Sequence, residues 1–281
     1  MLSLLILEVG LSFVPMPDWW EAGIFIEYLY STRIQKRLLQ SHEHNRLGYR
    51  DSEWTVGGKK VAFFGDSRTY GLFVHQSQTY AEQIEIMSNW EGMNVGLPGA
   101  TTFEALDSLV PDALPYQPQA SVVCLDLNSS LLSYVTRDKS GGRNAFTRNL
   151  LRSSSIWMFA EGGWHSLYSD RVPVIPLDKY KRQLHQIFNI LEENDVRKNI
   201  LLVGYTPLED YPNLYTQQEY DRYREASRTV ARARSVPIIE FTKELGDLSL
   251  NEAYIGEHQI HLTETGHQRI ASAVLRILNE D

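Results

Sequence analysis

The sequence predicts an α/β domain: a doubly wound parallel sheet sandwiched between helices. Three observations predict it. Short apolar runs of β type alternate with segments of helical period along most of the chain. Successive runs are roughly 25–50 residues apart, which leaves room for a crossover helix and is too long for a hairpin. The chain has 281 residues, 43% apolar and 22% charged, enough for the core of one large domain with an extension.

Each element has its own grounds. Residues 1–55 form an N-terminal extension with an apolar opening, Pro15 and Pro17, the pair Trp19-Trp20, and amphipathic helical spacing through Ile24, Tyr28, Ile34 and Leu38. Residues 56–281 form the main domain. Gly57-Gly58 is a turn, and KKVAFF at 59–64 is a buried strand. Residues 80–87 have helical spacing at Tyr80, Ile84 and Met87, and Asn94-Val95 is a second, short strand. Residues 102–109 are helical in pattern, and 121–125 (SVVCL) is strongly β. The insertion 131–176 has weak patterning, with Gly141-Gly142, Gly162-Gly163, Trp157, Trp164 and Tyr168, and reads as a loop-rich flap that shapes a pocket. Residues 177–193 repeat apolar positions at Tyr180, Leu184, Ile187, Phe188 and Leu191, a helix. Then follow a strand at 199–203, a helix at 217–234, a strand at 236–241 and a closing helix at 263–278, ended by Asn279. No internal repeat or low-complexity tract interrupts this order.

Charge and cysteine content exclude several function classes. The formal net charge is −8, with 27 basic residues against 35 acidic ones. A nucleic-acid binder carries a basic face. Here the densest basic stretch, 222–234, is interleaved with Glu225 and apolar residues and reads as a solvated helix face. No nucleic-acid partner is expected. The one cysteine, Cys124, lies within a β run, so it reads as a core residue and forms no intrachain disulfide. The apolar opening at 1–14 is shorter than a membrane span of about 20 residues and lacks a complete leader signature. A clipped membrane anchor, a membrane-surface helix and a docking helix all remain open.

In a doubly wound sheet, ligands bind outside the carboxyl ends of the strands. Three spots follow strand runs, and a fourth precedes the last helix. Ser67, in Gly65-Asp66-Ser67-Arg68-Thr69-Tyr70-Gly71, stands at a strand-to-helix turn that can expose a nucleophilic Oγ. Taken alone it also reads as an N-cap. Gly99, in the NVGLPGATT run at 94–102, lets backbone approach a ligand and offers an N–H to an oxyanion. Asn128 offers a side-chain amide N–H for the same purpose; taken alone, its segment reads as a turn. His261 lies on a loop before the last helix and can act as a general base near neutral pH. His258, His261 and His267 lack the spacing of the helical zinc signature, so no metal is expected.

In this order the four spots resemble the SGNH hydrolase superfamily, the GDSL-type esterases and lipases, over about 61–278. Gly65-Asp66-Ser67 with Thr69 and Gly71 resembles the nucleophile block. Residues 94–102 resemble the glycine block, Asn128 the asparagine of the third, and His261-Leu262-Thr263 with Gly266-His267 the histidine block. The resemblance implies a three-layer, flavodoxin-like fold and an ester hydrolase. Ser67 would be the nucleophile and His261 the base, with Ser67, Gly99 and Asn128 as oxyanion donors. It also implies no cofactor and a small ester or O-acylated carbohydrate substrate. Upstream, 45–51 (NRLGYRD) and 5–14 resemble the lead-in of exported, N-terminally anchored members, implying membrane association and an extracytoplasmic or membrane-anchored location.

Two departures stand out. Asp126 and Ser129 replace the glycine and the final aspartate of the third block's Gly-x-Asn-Asp pattern. The aspartate expected three residues before the histidine is replaced by His258, which brings no negative charge to fix the imidazole tautomer. Three readings stay open: a working Ser-His dyad, a triad completed by another acid such as Glu257, and a weak or inactive relative that binds an acylated or carbohydrate ligand. Transfer of an acyl group to a sugar rather than to water would use the same residues.

Overall fold

A computed structural model of the chain describes residues 44–133, 172–207, 216–255 and 260–280. The apolar opening, most of the 131–176 flap, Glu257 and His258 lie outside these residues.

Five strands form one parallel sheet: β1 (Lys60–Gly65), β2 (Glu91–Gly96), β3 (Ala120–Cys124), β6 (Lys198–Val203) and β7 (Ile238–Glu240), in the order β2-β1-β3-β6-β7. This is the doubly wound arrangement the sequence predicts, and its order reverses at β1. Two small antiparallel pairs lie apart from it: β4 (Leu132–Ser133) with β5 (Val172–Pro173), and β8 (Tyr254–Ile255) with β9 (His261–Leu262).

The central strands are buried on both faces, so they read as continuous apolar runs. Alternation of side chains then divides the core in two. Ala62, Phe64, Met93, Val95, Val123, Leu201 and Val203 face one helical layer. Val61, Phe63, Val122, Cys124, Ile200 and Leu202 face the other. Cys124 is therefore a core residue, as its sequence context predicts.

The first layer contains a helical stretch from Thr102, which we label α3, together with α5 (Leu177–Glu193) and α6 (Gln217–Ala233). Helix α5 matches its predicted span because its buried positions Tyr180, Leu184, Ile187, Phe188 and Leu191 follow one helical stripe. Thr216 caps α6 by accepting the Glu219 N–H at 3.2 Å. The basic residues of α6 and its C-cap pair with carboxylates: Arg222 with Glu219, Arg224 with Asp221, Arg228 with Glu225 and Glu240, Arg232 with Glu225, and the capping Arg234 with Glu192. Arg222 and Arg232 lie on the solvated face expected from the sequence, whereas Arg224 is buried. Stretch α3 departs from the regular helix expected at 102–109. It passes into a π turn at Ala105–Leu109 before Val110–Ala113. Pro111 has no N–H with which to continue the α ladder, and the wider turn precedes it.

The second layer contains α2 (Tyr80–Met87), the short α7 (Phe241–Glu244) and α8 (Leu250–Ala253), and α9 (Glu264–Leu278). His267 on α9 is fully buried, and its Nδ1 accepts the Tyr80 N–H at 3.2 Å, tying α9 to α2. Burial, with Arg50 and His261 nearby, pushes its imidazole from 6.5 down to about 3. A depressed histidine contributes stability that is present above its unfolded value and is lost as pH falls toward its folded one. Stability is therefore expected to fall between pH 6.5 and about 3 by up to about 1.4 kcal/mol per pH unit through this residue. Thermal melts of wild type and His267→Gln across that range check this, the variant having the flatter profile.

The described part of the expected N-terminal extension, 44–55, packs onto the main domain. Tyr49 and Trp54 join its core. Asp51 accepts the Trp54 indole N–H at 2.7 Å and the Asn94 N–H of β2 at 2.7 Å. No helix among the described residues is long and apolar enough to cross a membrane.

Candidate active site

Parallel register fixes where the functional loops leave the sheet. Gly65, the last residue of β1, pairs with Gly96 of β2 on one side and Cys124 of β3 on the other. The segments carrying Ser67, Gly99 and Asn128 thus emerge side by side from the carboxyl ends of three adjacent strands, at the point where strand order reverses. Neither glycine admits a side chain. A Cβ on Gly65 would land on Thr69 and the Cys124 carbonyl, and one on Gly96 would land on the Tyr70 backbone.

Ser67 opens the short helix α1 (Ser67–Tyr70), and it is Asp66 that caps the helix: its carboxylate accepts the Arg68 N–H at 2.9 Å. The N-cap reading of Ser67 is thereby displaced by one residue. As the first residue of a helix, Ser67 has a backbone N–H with no intrahelical acceptor. Its side chain is partly accessible.

His261 comes from 194 residues away, on β9, and its Nε2 lies 2.9 Å from the Ser67 Oγ. The predicted pair is therefore in hydrogen-bond contact. For Nε2 to accept the hydroxyl proton, the neutral imidazole must carry its own proton on Nδ1. The β8–β9 pairing and the cap of α9, where Thr263 accepts the Gly266 N–H at 3.1 Å, hold the histidine segment from both sides. Glu257 and His258 fall between those strands, outside the described residues.

Gly99 has φ +78, a left-handed backbone that favours glycine. Asn128 sits in helix α4 (Asp126–Ser130), where the sequence reads as a turn. It is 9% exposed, and its Nδ2 has no hydrogen-bond acceptor among the described residues. A buried amide donor left open costs on the order of 1–3 kcal/mol. An incoming oxygen that accepts from it recovers that cost. Such a set can deprotonate a hydroxyl and stabilise a developing oxyanion.

Beneath these groups lies a network that sequence reading missed. Arg68 is fully buried. It donates from Nε and Nη2 to the two oxygens of Asp66 at 3.1 and 2.8 Å, and from Nη2 to Asp126 Oδ1 at 2.7 Å. Its Nη1 donates to the Tyr220 hydroxyl at 3.1 Å. Asp126 Oδ2 accepts the Gly204 N–H at 2.8 Å. Burial acts to lower the Arg68 guanidinium, but the neighbouring carboxylates outweigh it and hold the group charged. One cluster therefore joins the ends of β1, β3 and β6 to helix α6. Gly204 has no Cβ because the Arg68 guanidinium and the Tyr220 hydroxyl occupy that space. Asp126 thus has a partner that explains it. Ser129, the other departure in that block, donates to the Leu125 carbonyl at 2.7 Å and accepts the Thr102 N–H at 3.4 Å, which ties α4 to the start of α3. Arg68 and Asp126, opposite charges at two otherwise uncharged motif positions, were the available signal.

A family profile, the GDSL-like Lipase/Acylhydrolase family, matches residues 63–269, most of the chain. The chain belongs to this family. Membership supports ester-hydrolase chemistry in general. Solved structures agree in fold. The acetylxylan esterase Axe2 from Geobacillus stearothermophilus is 15% identical, with a TM-score of 0.53 over 82% of this chain and 98% of that one. The lipase/acylhydrolase from Enterococcus faecalis is 18% identical, with a TM-score of 0.53 over 78% and 94%. Structures of Axe2 described as catalytic mutants replace a serine in one case and an aspartate in another. A comparison with curated proteins finds no match. Against the motif that gives the family its GDSL label, this member carries Arg68 in the leucine's place and answers it with Asp126.

Proposed function

We propose that this GDSL-like chain is a serine ester hydrolase acting on short acyl esters, with O-acetyl groups of carbohydrates as the substrate class. The observation that carries the reading is the 2.9 Å contact between Ser67 Oγ and His261 Nε2. In this reading His261 takes the Ser67 proton as Oγ attacks the ester carbonyl. The carbonyl oxygen becomes an oxyanion, held by the Asn128 amide and the N–H groups of Ser67 and Gly99. Collapse of the tetrahedral adduct expels the alcohol, which takes the proton from Nε2 and leaves an acyl-Ser67 ester. Water, deprotonated by His261, then attacks the acyl carbon. The acid departs and Ser67 regains its proton.

The buried Asn128 amide, with no acceptor for its Nδ2 among the described residues, supports the oxyanion role, and the family supports the reaction class. Preference for acetyl esters draws on fold similarity to an acetylxylan esterase. The test is turnover of p-nitrophenyl acetate, butyrate and octanoate, with acetate release from acetylated xylooligosaccharides. Acetate esters are expected to turn over fastest. Octanoate preference would overturn the short-acyl assignment, and no turnover of any ester would overturn the hydrolase. Asn128→Ala is expected to lower kcat by about 10²-fold with KM little changed. An unaltered kcat would remove Asn128 from the oxyanion site.

A further inference from the structure

The segment before β1 reaches the turn beside the candidate site through the Arg50 side chain. Arg50 is 2% exposed, and its guanidinium donates to three main-chain carbonyls. Nη1 donates to the Tyr70 carbonyl at 3.2 Å and also to the Gly71 carbonyl; Nη2 donates to the Val74 carbonyl at 2.6 Å. These carbonyls span the turn that leaves the Ser67 helix. From inside, the same turn is tied to the nucleophile: the Gly71 and Leu72 N–H groups both donate to the Ser67 carbonyl at 3.1 Å.

At the crown of this turn stands Phe73. Its φ is +72, left-handed backbone that a phenylalanine adopts only under constraint, and its side chain is 65% exposed. Folding alone gives no reason for either feature, because an exposed glycine would adopt this backbone without strain. The ring does make one defined contact. It meets the His261 imidazole edge-on, with centroids 5.1 Å apart and planes at 82°. Aromatic pairs favour this geometry, and it opposes rotation of the imidazole about its own side-chain bonds.

We propose that Arg50 and Phe73 are positioning residues for His261. Arg50 fixes the 70–74 turn in its strained form, and the turn holds the Phe73 ring against the imidazole so that Nε2 stays on Ser67. The inference rests on Ser67 and His261 being the reacting pair. A misplaced general base of about 1 Å costs up to about 10²-fold in rate.

The test uses the full chain and three substitutions of an exposed residue, Phe73→Ala, Phe73→Gly and Phe73→Tyr. Phe73→Ala is expected to lower kcat for p-nitrophenyl acetate by about 10-fold or more, with KM within about twofold of wild type. Fluorophosphonate labelling of Ser67 should slow by the same factor. Phe73→Tyr keeps the ring and should restore both rates. Phe73→Gly should lose activity like the alanine variant yet melt about 2 °C higher, because it relieves the left-handed strain. Arg50→Lys replaces a fork of donors with a single ammonium. It should lower kcat in the same direction, and the Arg50→Lys/Phe73→Ala double variant should be no slower than the slower single variant. Unchanged kcat in Phe73→Ala would overturn the proposal. A rise in KM at constant kcat would also overturn it, because the ring would then be a substrate contact. If Ser67→Ala retains wild-type turnover and labelling, the serine-hydrolase reading fails on its own account, separately from any Phe73 result.

Discussion

Ser67→Ala is expected to lower p-nitrophenyl acetate turnover by about 10⁴-fold or more while leaving the melting temperature near that of wild type. The hydroxyl is the attacking atom, and water in the vacated space has no comparable alignment with His261. His261→Ala is expected to lose about as much, because an unassisted hydroxyl is a poor nucleophile at neutral pH. The two losses should not add. Ser67 and His261 act in one proton transfer across 2.9 Å, so the double variant should be about as slow as either single one. Steady-state rates on the purified variants check this, and strictly additive losses would mean the two side chains do not act together. Background activity in the alanine variants would come from Asn128 and the other oxyanion donors.

Asp126→Ala is expected to destabilise the fold by about 1–3 kcal/mol, measured by urea unfolding. Arg68 and Asp126 are 0% and 1% exposed, so neither can turn to water when its partner is removed. The alanine leaves the Gly204 N–H without an acceptor and the Tyr220–Arg68 contact without its anchor. Arg68→Met should cost more, about 3–5 kcal/mol, since Asp66 and Asp126 would face each other as buried carboxylates without their shared cation. The double variant Arg68→Leu/Asp126→Gly, with uncharged residues at both positions, is expected to be more stable than Arg68→Met, because Asp66 then no longer faces a second buried carboxylate. Replacing a buried ion pair as a unit removes its desolvation cost along with its attraction. A double variant as unstable as the sum of the singles would show that the pair is not one unit.

What the sequence made legible follows from period and spacing. KKVAFF reads as a strand because it is apolar, β-prone and closed by Gly65, and β1 occupies Lys60–Gly65. Helix α5 was legible to the residue because five buried positions repeat on one face and Pro176 stands before its first turn. The start of β2 was not legible. Glu91 and Gly92 have no β preference and join the strand only through register with Lys60 and Val61. Helix α4 was hidden for a related reason. Five residues containing Asp, Asn and two serines read as a turn, and tertiary bonds such as Asp126 to the Gly204 N–H accompany its helical form. The two-residue strands β8 and β9 are too short to carry any period.

The site divides along the same line. Ser67, Gly99, Asn128 and His261 were legible because each lies next to a strand end or a helix start with a recognisable local pattern. The groups that hold them were not. Arg50 belongs to a stretch whose pattern suggests only a lead-in, and nothing local reveals that its guanidinium reaches carbonyls 20 to 24 residues onward. Phe73 looks like one more apolar residue in a loop until its φ and its contact with His261 are known. Sequence patterns record which residues carry chemistry; the long-range hydrogen bonds that aim them become visible only in three dimensions.

The most direct measurement is the site of covalent attachment of a fluorophosphonate probe, mapped by peptide mass spectrometry on wild type, Ser67→Ala and His261→Ala. The Ser67–His261 contact predicts one adduct, on Ser67, in the wild type, none in Ser67→Ala, and labelling slowed by orders of magnitude in His261→Ala. Equal labelling of wild type and Ser67→Ala, or an adduct on another serine, would contradict it.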